Sequence, residues 1–458
     1  MLRIVFAFIL PFWTCFSAER PNFLVVFTDD QGWNDVGCYG SEIPTPHIDS
    51  LARDGMKFER FYAASSICTP SRFGLLTGRN PSRSKSRLLQ ALMFLGDYDK
   101  GRGIQPGETT LPSVLRKAAY DTALIGKWHL GHGKKTFWAN RHGFDLFHGH
   151  TAGCIDFFTL RYGERPDWYR NDELLQESGY ATDIITNAAL NFLQGHAKTK
   201  KQKEEKNFFL FLPYNAPHFG KAWDEGAQSP VNVMQPPPEY LPRVAKLSAD
   251  PIRRAFAAKV MNLDDNFGRI LGALDKFGLR ENTLVLFLTD HGGVYKHGGS
   301  NKPLRGEKAT LYEGGLRVPC LLRWPGKVKA GSVLPEVCSA LDLFPTFARL
   351  AGASTEGLVL DGIDLSTALL GGQASPAERE LFWQTGAHAE LARNEWLALR
   401  SGDWKLVQEP GKPARLFNLR QDPNETRDLA QSEKPTLEGL LKRAQEKKAE
   451  YARFAKGL

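Results

Sequence analysis

An α/β architecture is predicted for this chain. A large unit with a mainly parallel central sheet flanked by helices precedes a smaller C-terminal unit with an antiparallel sheet and a terminal helix. Three observations carry the prediction. Four short apolar runs have the character of strands buried on both faces. Between the third and fourth lies a helical stripe in which Ile252, Phe256, Val260, Leu263, Phe267, Ile270 and Leu274 recur at steps of three or four. Beyond residue 377 the pattern changes to short alternating segments separated by turns.

The bulk properties agree. At 458 residues the chain exceeds what one core usually organises, so a large and a small unit are expected. Hydrophobic residues at 42% against 24% charged exclude a disordered polyelectrolyte. Part of the net charge of +8 sits in "KTKKQKEEK" (198–206) and in "LKRAQEKKAEYARFAK" near the C-terminus, which read as solvated surface. No nucleic-acid motif accompanies them, so no nucleic acid is an expected partner.

"MLRIVFAFILPFWTCFSAERP" begins with one basic residue, continues apolar and ends in small residues before a charge. It reads as an export signal over residues 1–18, cut near Ser17 or Ala18, which places the mature protein in the periplasm or outside the cell. It is too short to favour a membrane span, and no later stretch is apolar for long enough. The expected division is therefore 1–18 signal, 19–376 large unit, 377–458 small unit. In such a compartment Cys38, Cys154, Cys320 and Cys338 can form disulfides, with three pairings open, and their spacing is not that of a zinc site.

Taken in order, each apolar run ends in polar residues. "NFLVVF" (22–27) leads to Asp29 and Asp30. "TALI" (122–125) leads to Lys127 and His129, "FFLFL" (208–212) to His218, and "LVLFL" (284–288) to Asp290 and His291. Ligands of open α/β sheets sit beyond the carboxyl ends of the strands. If the four are parallel, these groups meet at one edge. "SALDLFPTFARLAG" (339–352) and "DGIDLSTALLGG" (361–372) read as helices closing the large unit. "WLALRSGDWKLVQ" and "ARLFNLRQDPNETRDLA" read as antiparallel strands, with a helix from about 435.

Three carboxylates at strand tips suit a hard divalent cation, Ca²⁺ or Mg²⁺. Without one they would repel each other and shift toward protonation. Lys127, Lys308, His129, His218 and Arg72 supply donors for an anion, and a cation ringed by such donors stabilises an oxyanion-rich transition state. That combination fits phosphoryl or sulfuryl transfer.

The nucleophile remains to be found, and "SSICTPSRFGLLTGR" (65–79) offers Cys68, which by itself reads equally as buried filler, a disulfide half, a thiolate or a precursor. This segment resembles the signature of type I sulfatases, Cys-X-Pro-Ser-Arg followed by X-X-Leu-X-Thr-Gly-Arg, matched by Cys68, Pro70, Ser71, Arg72, Leu75, Thr77, Gly78 and Arg79. "FTDDQGWNDVGCYG", "GKWHLG", "PYNAPHF", "TDHGG" and "PLRGEKATLYEGGLRVP" extend the resemblance over nearly the whole mature chain. It implies an arylsulfatase-like sulfuric ester hydrolase with the alkaline phosphatase-like fold. Cys68 is then oxidised to formylglycine by a formylglycine-generating enzyme before the chain folds. One hydroxyl of the hydrated aldehyde attacks sulfur and the other expels sulfate, an exit that a serine ester lacks.

The resemblance also implies metal ligands Asp29, Asp30, Asp290 and His291, with residue 68 beside them. It places Lys308 and His218 on the sulfate, one of them protonating the leaving oxygen. His129 takes a proton during sulfate release, Lys127 and Arg72 hold the diol, and Asp290 accepts the attacking proton. Substrates are sulfated small molecules or, by preference, sulfated glycans, bound by 83–105, 132–180 and 219–250. A formylglycine-dependent phosphonate or phosphodiester hydrolase and an inactive binder of sulfated glycans are the alternatives.

Overall fold

The four apolar runs are strands, and each continues into the polar residues that follow it. In the computed structural model, residues 20–200, 206–372, 379–386 and 395–457 are described. The expected signal segment, Cys15 and part of the basic run at 198–206 lie outside them.

The main sheet contains β1 (Asn22–Asp29), β2 (Met56–Tyr62), β3 (Tyr120–Lys127), β4 (Leu146–His150), β5 (Tyr169–Arg170), β6 (Glu173–Leu174), β7 (Asn207–Pro217), β8 (Thr283–Thr289), β9 (Cys320–Arg323) and β10 (Ser332–Ser339). Its order is β10-β2-β9-β8-β1-β7-β3-β4-β5-β6. The central strands β8, β1, β7, β3 and β4 are parallel. Both flanks are mixed, with β9 antiparallel to β8 and β2, and β5 and β6 antiparallel at the far edge.

Period-two alternation splits the central strands between two cores. Phe23, Val25 and Phe27 of β1 share one face with Phe209, Phe211, Leu284, Leu286 and Leu288. Leu24 and Val26 share the other with Leu210, Leu212, Val285 and Phe287. Helices α1 (Pro46–Asp54), α2 (Cys68–Thr77), α3 (Leu111–Lys117), α4 (Ala181–Lys200), α5 (Pro251–Lys276) and α6 (Leu343–Leu350) cover them. The first face is covered by α2, α3 and α6, the second by α1, α4 and α5.

The stripe on α5 does not act as one surface. Ile252 is exposed, and Phe256 and Val260 join a satellite cluster with Ile43 and Val244. Only from Leu263 onward does the helix meet the sheet. Its first turn is fixed by Asp250, whose side chain accepts from Ile252 N at 2.9 Å. The segment 361–372 is helical only over Ser366–Leu369.

A separate antiparallel sheet comprises β11 (Glu380–Thr385), β12 (Trp396–Ser401), β13 (Trp404–Gln408) and β14 (Arg415–Asn418). Strand β11 was not among the sequence expectations. Trp383, Trp396, Ala398, Val407 and Phe417 point toward Ala309, Leu311, Tyr312 and Cys68 of the large unit. Phe382, Leu397, Leu399, Leu406 and Leu416 point the other way, onto α7 (Lys434–Ala455). The small sheet thus braces the segment that carries Lys308.

The disulfides open to Cys38, Cys154, Cys320 and Cys338 do not form, since all four are free thiols. Cys320 and Cys338 lie on β9 and β10, with β2 between them. Two strand spacings put them about 10 Å apart, beyond disulfide reach. Among the described residues, no helix is long and apolar enough to cross a membrane.

Candidate active site

Because β8, β1, β7 and β3 are parallel neighbours, their carboxyl ends open onto one edge. Asp29 ends β1, Lys127 ends β3, and Asp290, His291, His129 and His218 follow within a few residues of their strands. Asp30 and His129 adopt left-handed backbone, with φ of 61° and 54°. That conformation costs about 1–2 kcal/mol per residue. Asp29, Asp30, Asp290 and His291 each bring a ligand atom into a group whose members all lie within 4.8 Å of one another.

The cations lie around this group. Lys127 Nζ is 2.5 Å from Asp29 Oδ2, and Lys308 Nζ is 2.5 Å from Asp30 Oδ1. Arg72 stands 3.4 Å from Asp290 and 3.9 Å from Asp29. The expected mutual repulsion therefore falls unevenly. Burial would raise Asp29 and Asp30, but Lys127 and His218 hold the first, and His218 and Lys308 the second, well below the carboxylate range. Only Asp290 is pushed upward, by burial and by the charge of Asp29.

Histidine tautomers follow from their carbonyl partners, since a ring nitrogen facing a carbonyl oxygen must carry the proton. His291 Nδ1 donates to Gly292 O at 3.0 Å, so Nε2 keeps its lone pair. His129 Nε2 donates to Leu92 O at 2.9 Å, leaving Nδ1 as the basic atom. His218 Nδ1 donates to Phe219 O at 2.9 Å, and its Nε2 lies 3.5 Å from Asp30 Oδ2. Burial lowers His129 well below the usual histidine range and lowers His218 to about 3.

Asp29 Oδ1, Asp30 Oδ2 and His291 Nε2 are buried without a hydrogen-bond partner. Convergent acceptors left in this state are costly unless a cation meets them. The residues present therefore fit a divalent ion, with a nitrogen donor among oxygens.

The spacing of "CTPSRFGLLTGR" now has a physical account. Cys68 is the first residue of α2 and is buried beside the cluster. Thr69 Oγ1 donates to His129 O at 3.1 Å, and Ser71 Oγ to Asp290 O at 2.5 Å. Arg72 reaches Lys127 O at 3.3 Å. One helical turn is thereby pinned to two strand tips, those of β3 and β8. Gly78 ends α2 at φ 63°, where a Cβ would lie 2.7 Å from Phe344 Cβ, and Arg79 pairs with buried Glu108 at 2.6 Å. Burial raises the Cys68 thiol, but Lys127 and Lys308 outweigh it and bring it down to about 7.

All ten residues singled out in the sequence meet here. Asp30, Cys68, His129, His218 and Lys308 line a cavity of about 290 Å³. The three variable stretches contribute Ala91–Phe94, then Gly153, Cys154 and Tyr162, then Phe219, Lys221 and Asn232. The sequence reading missed Val294, Lys296 and His297 on the same wall. It also missed Lys259, whose Nζ donates to His218 O at 2.6 Å from within α5. A buried lysine inside an apolar stripe was the available signal.

The family described as Sulfatase matches residues 21–353, and that described as N-sulphoglucosamine sulphohydrolase, C-terminal, matches 306–451. N-acetylgalactosamine-6-sulfatase of Canis lupus familiaris is 31% identical, over 89% of this chain and 81% of its own length. Steryl-sulfatase of Mus musculus is 32% identical, over 93% and 81%. The crystal structure of Ps i-CgsB in complex with k-i-k-neocarrahexaose superposes with a TM-score of 0.83 at 30% identity, covering 94% of this chain and 93% of that one.

Proposed function

Because the chain belongs to the sulfatase family and is a sulfatase, we propose that it hydrolyses carbohydrate sulfate monoesters with residue 68, as formylglycine, for nucleophile. The observation that carries this reading is the placement of Cys68 at a helix start, beside buried unpartnered acceptors and facing the charges of Lys127 and Lys308.

Asp29, Asp30, Asp290 and His291 would hold Ca²⁺ or Mg²⁺ beside residue 68, and the cation supplies positive charge against the sulfuryl oxygens. Formylglycine supplies a hydrated aldehyde whose two hydroxyls serve attack and release in turn.

The chain's own side chains do the rest. Lys308 and His218, at the cavity floor, grip the sulfate. With its proton on Nδ1 committed to Phe219 O and burial lowering it to about 3, His218 is neutral at Nε2. Lys308, which burial would lower but Asp30 raises, is therefore the group that carries a proton for the leaving oxygen. His129 Nδ1, buried and unpartnered, takes the proton that frees sulfate. Asp290, whose carboxylate is made more basic by burial and by the charge of Asp29, accepts the attacking proton. Arg72 and Lys127 are fully buried and fix the helix and strand tips around the reacting group. Leu92 and Phe94 give the same cavity an apolar side.

Carbohydrate sulfates are favoured because the cavity opens beside aromatic walls at Phe94 and Tyr162, surfaces on which a sugar ring stacks. Maturation by a formylglycine-generating enzyme and export through residues 1–18, ahead of units 19–376 and 377–458, belong to the same proposal. The test compares kcat/KM for 4-nitrophenyl sulfate with that for 4-nitrophenyl phenylphosphonate. Sulfate should be preferred by at least about a hundredfold, and the reverse preference overturns the reading.

A further inference from the structure

The cavity wall beyond the sulfate-binding floor carries charge of one sign. Lys221 and Lys296 line it, and Asp30, at the floor and paired with Lys308, is the one carboxylate among the described lining residues.

Lys221 has a defined position on this wall. It sits on the hairpin formed by Gly220–Asp224 and Ser229–Val233, directly across from Asn232. Its Nζ donates to Asn232 Oδ1 at 2.7 Å, a neutral acceptor, and lies 5.6 Å from the centre of the Tyr162 ring. Tyr162 is backed by Phe94 at 4.9 Å, and Gly163 N donates to Lys221 O at 2.9 Å. Among the described residues Lys221 makes no ion pair. A fixed ammonium with an aromatic back and only a neutral partner is preorganised for an anion. His297, which lines the same cavity and packs against Phe219, adds a buried Nδ1 without a hydrogen-bond partner.

From this geometry we propose that Lys221 forms a second anion subsite, which receives a carboxylate or further sulfate on the alcohol part of the substrate. The enzyme then prefers acidic saccharide sulfates to neutral aryl or steryl ones. The inference rests on the sulfatase reading and deepens it.

The test uses a matched pair, 3-carboxyphenyl sulfate and its neutral isostere 3-carbamoylphenyl sulfate, with the mature full-length enzyme. The wild type should favour the carboxylate by about tenfold or more in kcat/KM, the scale of one charge-assisted contact. Lys221→Met should remove that preference, and Lys221→Arg should restore most of it. The wild-type preference should also decline with rising salt, a readout that needs no variant. Equal turnover of the pair by the wild type, or a preference that survives Lys221→Met, overturns the second subsite while leaving the sulfatase reading intact. Failure to cleave either ester overturns both.

Discussion

At the strand tips, Asp29, Asp30 and His291 each keep a buried acceptor atom without a partner. Beneath the small sheet, buried charge is arranged differently. Lys405 lies 2.8 Å from Glu313 and 3.0 Å from Glu425, while Tyr62 donates to Glu313 at 2.7 Å and Glu313 N to Glu425 at 2.6 Å. Arg400 donates to the Tyr62 hydroxyl in turn. Both clusters suffer the same desolvation. One is closed on itself by ion pairs, its single acceptor without a hydrogen bond, Glu425 Oε1, lying 3.0 Å from Lys405 Nζ, and joins two units. The other faces a cavity and leaves lone pairs for something the chain does not supply.

That contrast can be broken at either end. Cys68→Ala should abolish turnover, by at least about 10⁴-fold in kcat, with an unchanged unfolding midpoint. Lys405→Met should do the opposite. It strands Glu313 and Glu425, lowers stability by about 3–5 kcal/mol in urea titration, and leaves kcat of the folded fraction close to wild type.

Chelation sharpens the comparison further. Stripping divalent ions should remove activity and lower Tm, and adding Ca²⁺ at about 100 times its Kd should return about 2.7 kcal/mol. A protein whose Tm ignores chelator and Ca²⁺ would show that the orphaned acceptors hold no cation. His129→Ala should give a single burst, with a sulfated peptide at residue 68 accumulating. Repeated turnover without that adduct rules out the release role.

The smallest effect concerns pH. Burial raises Glu425 from an ordinary value of 4.5 to about 7. A carboxyl raised on folding stabilises fully below pH 4.5, and that contribution is lost as pH rises through about 7. Glu425→Gln should therefore flatten the fall in stability across this window. An unchanged slope would assign the pH dependence elsewhere.

What was legible in the sequence follows the same division. Each of β1, β3, β7 and β8 contains a short apolar run, and each leads into an acid, lysine or histidine, so parallel pairing of these four brings the site together. The closed cluster could not be read. Glu313 and Lys405 stand 92 residues apart, and only the packing of the small sheet joins them. Lys221 was equally hidden, because a hairpin lysine has the composition of solvated surface until Asn232 and Tyr162 are seen to fix it. Strand β11 follows a polar, charged stretch that offers no alternation, and the mixed flanks of the main sheet depend on short strands with little periodicity.

The central claim is that residue 68 is the nucleophile in converted form. Protein purified from its native host, digested with trypsin and fragmented by mass spectrometry, gives the mass of residue 68 in the peptide that ends at Arg72. The account predicts an aldehyde at that position. A plain thiol in fully active protein would contradict it.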